Sequence, residues 1–84
     1  MIDIKKLGQR ISYLRHRANL TQNEVSERCF VSAQAVSKWE RGLCCPDILI
    51  LDELAAALGV EIKDLFEEEG DLVASENNEI NLLK

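Results

Sequence analysis

Thr21 and Ser32 constrain this chain more than any other residues. Thr21 has Glu24 three places on, the spacing of a reciprocal capping box, and a short amphipathic run follows it. Ser32 stands in the same relation to a second run over residues 33–41, which is followed by Gly42, a natural helix stop. Only Cys29, Phe30 and Val31 lie between the two runs. The pattern predicts two short helices joined by a tight turn, the second displaying Gln34, Ser37, Lys38 and Arg41 to solvent.

The rest of the chain supplies helices to pack against that pair. Ile4, Leu7, Ile11, Leu14 and Ala18 recur at three- and four-residue spacing and predict a helix over residues 3–17, with Arg10, Arg15 and Arg17 off the apolar stripe and reaching outward. Val25, Cys29 and Val31 are expected to point inward, as are Ala35, Val36 and Trp39. Trp39 lies one turn from Val36, which makes it a core plug rather than a stacking platform. Residues 42–46 read as a loop holding Leu43, Cys44, Cys45 and the only proline, Pro46. Asp47 is placed to cap a fourth helix with Ile48, Leu51, Leu54, Ala55 and Leu58 on one side and Gly59 as its stop. A fifth, shorter helix carries Ile62, Leu65 and Phe66, although it starts at Glu61 without a strong capping hydroxyl. No stretch alternates as a strand and no internal repeat occurs. The expected fold is all-α, a compact five-helix domain over residues 1–66. Residues 67–84 are expected to form an acidic tail, partly disordered or engaged in association through Leu72, Val73, Ile80, Leu82 and Leu83.

Bulk properties narrow the function. Eighty-four residues make one domain with a small core. No apolar run approaches the roughly 20 residues that span a bilayer, and no signal-peptide pattern opens the chain. An odd count of three cysteines fits a reducing compartment, so the expected location is the cytoplasm, with no membrane association. The net charge of −5 argues against nucleic acid if taken whole. Residues 1–42, however, hold eight basic and four acidic side chains, a net of +4, and the remainder holds two and eleven, a net of −9. Such polarity lets one face attract phosphate while the other repels it. A short positive helix with long polar side chains fits the major groove of duplex DNA.

Other chemistries lack their residues. No Ser/His/Asp or Cys/His constellation and no glycine-rich phosphate loop is present, so no catalytic residue is expected and the chain is not read as an enzyme. Cys29, Cys44, Cys45 and His16 are a nominal set of soft ligands, but adjacent side chains such as Cys44 and Cys45 diverge, so neither a metal nor another cofactor is expected. The competing function is a protein-interaction module, such as an antitoxin-like protein that binds a partner through the acidic second half.

At L20-T-Q-N-E-V, V31-S-A-Q-A-V-S-K-W-E-R-G42, P46-D and L54-A-A-A-L-G-V-E-I-K-D-L-F66 the chain resembles the lambda-repressor-like, Cro/C1-type or XRE, helix-turn-helix family. The resemblance implies a sequence-specific transcriptional regulator, a repressor that occupies a pseudo-palindromic operator in double-stranded DNA as a homodimer. It implies base reading by Ala33, Gln34 and Lys38 with Ser37 beside them, and phosphate contacts by Gln22, Ser32, Arg17, Arg41 and the backbone at Gly42. Arg15 and Glu40 match positions that form a structural ion pair between the first and third helices. Two positions depart from the family pattern: Ser26, where alanine is usual, and Phe30, where glycine is usual. A left-handed backbone costs a residue such as Phe30 about 1 kcal/mol or more, so the turn either takes another geometry or carries strain, and Phe30 is a candidate for a contact between chains.

Overall fold

The computed structural model describes residues 3–66. Four α-helices run in chain order, α1 Ile4–Arg17, α2 Gln22–Cys29, α3 Ala33–Glu40 and α4 Ile48–Leu58, followed by a 3₁₀ turn at Ile62–Phe66. The expected tail at residues 67–84 lies outside the described residues.

Every one of the four described helices starts on a side-chain acceptor. Asp3 Oδ1 accepts from Lys5 N at 2.9 Å and Lys6 N at 3.3 Å. Thr21 Oγ1 accepts from Glu24 N at 3.0 Å while Glu24 Oε1 accepts from Thr21 N at 2.9 Å, which completes the box. Ser32 Oγ accepts from Ala35 N at 3.1 Å, and Asp47 Oδ1 from Leu49 N at 3.0 Å. Each cap satisfies an amide that the helix itself leaves without a partner.

The four helices also end alike. A left-handed residue follows or nearly follows each one: Asn19 (φ 61°), Phe30 (φ 60°), Gly42 (φ 73°) and Gly59 (φ 73°). The next residue then donates back into the last turn, Leu20 N to Arg15 O at 3.1 Å, Val31 N to Ser26 O at 3.0 Å, Leu43 N to Lys38 O at 2.9 Å and Val60 N to Ala55 O at 3.0 Å. This closure places an apolar side chain where it folds back over the helix end. Leu20, Val31 and Val60 do so against the core. Leu43 does not, and remains 61% exposed. The turn at Phe30 therefore takes a left-handed backbone and carries the strain, with the ring 84% exposed.

Leu7, Ile11 and Leu14 of α1, Val25 and Cys29 of α2, Val36 and Trp39 of α3, Leu54, Ala55 and Leu58 of α4, and Leu65 form one buried core. Helix α3 packs on α1 and α2, α2 also on α4, and the 3₁₀ turn on α1 and α4. Buried Gly8 permits the α1–α3 contact, because a Cβ there would lie 2.2 Å from Trp39 O and 2.9 Å from Glu40 O. Gly42 combines its positive φ with a close approach, since a Cβ would lie 3.1 Å from Lys5 Cα.

Several expectations are corrected. The domain has four helices and a 3₁₀ turn, not five helices. The last segment has only five residues and no capping hydroxyl; Asp64 N donates to Glu61 O and Asp64 Oδ2 accepts from Glu61 N, both at 3.0 Å, which tightens it into 3₁₀ geometry. Arg10 does not reach outward. It is buried, and its Nε donates to Asp64 O at 2.8 Å, tying α1 to that turn. Ile48 is not part of the apolar side of α4: it is 78% exposed and Leu49 80%.

Candidate nucleic-acid interface

Helix α3 presents the predicted reading residues as follows. Gln34 and Lys38 are exposed, and Ala33 and Ser37 half-buried. Ser37 Oγ accepts from Arg41 Nε at 3.1 Å, so Arg41 lies back along its own helix and Ser37 keeps its hydroxyl proton for another acceptor. Ser32 Oγ is occupied as an acceptor by the cap, yet its proton also remains available. Gly42 is half-buried beneath Lys5.

Beside the head of α3 lies an open depression of about 710 Å³. The end of α1 and the following turn supply Arg15, His16, Asn19 and Leu20; the head of α2 supplies Thr21, Gln22 and Asn23, and Ala33 closes the α3 side. A concavity lined by amide side chains and by the first turn of a helix suits an anionic oxygen. Asn19 and Asn23 are residues that motif reading did not place here. Their signal was only proximity in sequence to Gln22 and to the turn before it. His16 Nδ1 donates to Ser12 O at 2.8 Å, so its Nε2 becomes a second donor only when the ring is charged.

Glu40 organises this edge. Its carboxylate accepts from Arg15 Nε at 2.6 Å, Arg15 Nη2 at 3.0 Å and Gln22 Nε2 at 3.0 Å, and Arg15 Nη1 donates to Leu20 O at 2.9 Å. Three helices and the α1–α2 turn thus meet at one acid. Arg15 is turned inward, onto the Glu40 that the resemblance gives it as an ion-pair partner, and does not take the outward reach that its place off the apolar stripe allowed. The amide of Gln22 is aimed rather than loose, with one N–H committed to Glu40 and the other free for a ligand. Arg17 is not among the residues lining the depression. Its guanidinium lies 5.7 Å from the centre of the Tyr13 ring, which also has Arg10 at 5.4 Å.

Among the described residues two titratable groups are shifted. The Thr21 backbone N–H, with the Thr21 hydroxyl and Arg28 adding to it, holds the Glu24 carboxyl below its usual range. Burial, helped by Glu53, pushes the Cys29 thiol up and makes it a core residue rather than a reactive one. Cys44 and Cys45 are exposed free thiols. Among the described residues no group of three or more His, Cys, Asp or Glu could hold a metal ion, and no helix is long and apolar enough to cross a membrane.

A capped helix pair braced by a third helix, with the outer side of α3 open and a polar depression at its head, defines a helix-turn-helix DNA-binding domain. The helix-turn-helix family model HTH_3 matches residues 11–65. An uncharacterized HTH-type transcriptional regulator, y4dJ of Sinorhizobium fredii, is 43% identical over 76% of this chain and 84% of its own length. The immunity repressor protein of Bacillus phage phi105 is 32% identical over 89% of the chain, which spans 51% of that protein. Among solved structures, the restriction-modification controller protein C.AhdI from Aeromonas hydrophila is 31% identical, with a TM-score of 0.73 over 76% of this chain and 97% of that one. This chain belongs to the HTH_3, Cro/C1-like or XRE-type, helix-turn-helix family, and is a sequence-specific DNA-binding transcriptional regulator rather than an enzyme.

Proposed function

We propose that two copies of this chain occupy a pseudo-palindromic operator, with their α3 helices about 34 Å apart in successive major grooves, and repress by excluding polymerase. Ala33, Gln34, Ser37 and Lys38 meet base edges, while Gln22, Ser32, Arg41, Arg17 and the Gly42 backbone hold phosphates. The observation that carries this reading is the pairing of an exposed Gln34 and Lys38 on α3 with a Gln22 amide already aimed by Glu40 at the adjacent depression. Gln34 matches the N6/N7 edge of adenine, and Lys38 matches guanine O6/N7. One such module buries too little surface for high specificity, which favours two copies. Repression is supported by the phage relative named an immunity repressor; a second relative, an Enterococcus faecalis protein 34% identical over 94% of this chain, which spans 39% of it, is named a transcriptional activator, BcrR.

Selection of bound duplexes from a random pool at two salt concentrations tests the reading. A symmetric site enriched at both salts is the expected result, because phosphate attraction alone fades with salt while base contacts persist. Enrichment of no sequence would sink it. A reporter with the selected site across the polymerase position then fixes the sign, and increased transcription would overturn repression.

A further inference from the structure

We infer that His16 is a proton-dependent phosphate ligand: its charged ring completes the depression at the head of α2, so that operator affinity falls as pH rises through the histidine range. The inference rests on the DNA-binding reading above and deepens it.

The depression holds polar donors but no uncommitted permanent charge. Among the described residues that line it, Asn19, Thr21, Gln22 and Asn23 are neutral and none is an acid. Arg15 is the one permanent cation there, and all three of its nitrogens already donate, Nε and Nη2 to Glu40 and Nη1 to Leu20 O. The carboxylate paired with it at 2.6 Å offsets its charge toward any third group. A phosphodiester oxygen in this depression therefore meets neutral donors alone until His16 ionises.

The fold fixes which ring nitrogen is on offer. Nδ1 lies 2.8 Å from Ser12 O, and because a carbonyl can only accept, Nδ1 carries a proton in both charge states. Ser12 Oγ lies 3.4 Å from the same nitrogen. Nε2 is left for a ligand. Neutral, it offers a lone pair that repels an anionic oxygen; protonated, it offers a charged N–H that attracts one. The ring is exposed in the last turn of α1, where unpaired helix carbonyls favour a cation.

The charged groups around the ring are otherwise engaged. On α1, Arg15 is offset by Glu40, and the Arg17 guanidinium lies 5.7 Å from the centre of the Tyr13 ring. On α2, the Glu24 carboxylate is turned back onto Thr21 N at 2.9 Å. On α3, Glu40 faces Arg15. Among the described residues no acid pairs with His16, so a backbone phosphate is the counter-ion it lacks.

His16 is the only histidine in the chain, so its ring signals report one residue. The test measures binding of the full chain to its selected duplex by anisotropy at pH 6 and pH 8 and constant ionic strength. The parent should bind about fivefold more tightly at pH 6, the ratio produced when binding raises a histidine's titration midpoint by about one pH unit. The midpoint of the His16 Hε1 NMR signal should accordingly lie higher on the duplex than off it. His16→Gln should bind alike at both pH values, at the parent's weaker level, and His16→Lys should hold the tighter level at both. Replacing one phosphate per half-site by a neutral methylphosphonate should remove the pH effect, and at that same phosphate Gln22→Ala should lose its own effect. Equal affinity of the parent at the two pH values, a pH effect that survives in His16→Gln, or a His16 midpoint unmoved by the duplex would overturn the inference; with a symmetric site still selected, the operator reading stands. A parent that binds no duplex at either pH would sink the operator reading and the inference with it.

Discussion

Gln22 Nε2 donates to Glu40 Oε1 at 3.0 Å, so the residue at the head of α2 is aimed by the residue that closes α3. The same carboxylate holds Arg15, and the two charged side chains are only 11% and 7% exposed. Changing Glu40 to Ala strands the Arg15 guanidinium and should cost about 3 kcal/mol in urea unfolding, far more than a solvated pair. Glu40→Gln keeps an acceptor and should cost less. A loss below 1 kcal/mol for the alanine variant would mean that Arg15 finds water on its own.

The base and phosphate roles separate by their sequence dependence. Gln34→Ala should relax preference at one operator position and cost about 1 to 3 kcal/mol of discrimination there. Gln22→Ala should weaken all duplexes alike. Anisotropy titrations on the selected site and on single-position variants distinguish the two, and parent-like binding by both variants would move the docking face elsewhere.

Gly8 should tolerate no side chain. A Cβ would lie 2.2 Å from the Trp39 carbonyl oxygen, a backbone atom that cannot swing aside, so α1 must shift away from α3. Gly8→Ala should therefore destabilise by about 3 kcal/mol despite alanine's better helix propensity. A thermal melt unchanged from the parent would show that the helices separate freely.

Phe30 should behave in the opposite way. Its left-handed backbone is strained and its ring, at 84% exposure, returns almost no burial. Phe30→Gly should raise stability by roughly 1 kcal/mol, a few degrees in melting temperature for a domain of this size. Destabilisation would mean that the ring has a partner, and a change in the number of copies on DNA would identify that partner as a second chain.

Acid should loosen α2 from its head. Glu24 has a lowered pKa in the folded chain, so its contribution is complete above the unfolded-state value and is lost as pH falls through the folded one. Following the Glu24 side-chain carboxyl by NMR should give a midpoint below that of an ordinary glutamate, with the Thr21 amide signal moving in step. An ordinary midpoint would show that the box is open in solution.

How much was legible varies by residue. Thr21, Ser32 and Asp47 announce their helices, and Gly42 and Gly59 end two of them, because capping is settled within a few residues of chain. The α2–α3 motif follows from those caps and from the apolar spacing that sets Val25, Cys29, Val36 and Trp39 inside. The shortened last segment was not legible, since Ile62, Leu65 and Phe66 have helical spacing and only the competition of Asp64 for Glu61 decides against a full helix. Arg10 looked like any outward arginine until the 3₁₀ turn brought Asp64 O to it, and the depression at Gln22 exists only because α1 delivers His16 and Asn19 beside α2.

The sequence by itself determined where the four helices start and most of the residues they turn inward, while counting the last segment as a fifth helix, because hydrogen bonding at helix ends and side-chain periodicity are local matters. Only the tertiary structure decided that Glu40 would take Gln22 as well as Arg15, that Gly8 would admit α3, and that Ile48 and Leu49 would be left outside. Those outcomes depend on which residues distant in the chain come within a few ångströms, and on the volume left once the core is filled. Neither is written in any single stretch of sequence.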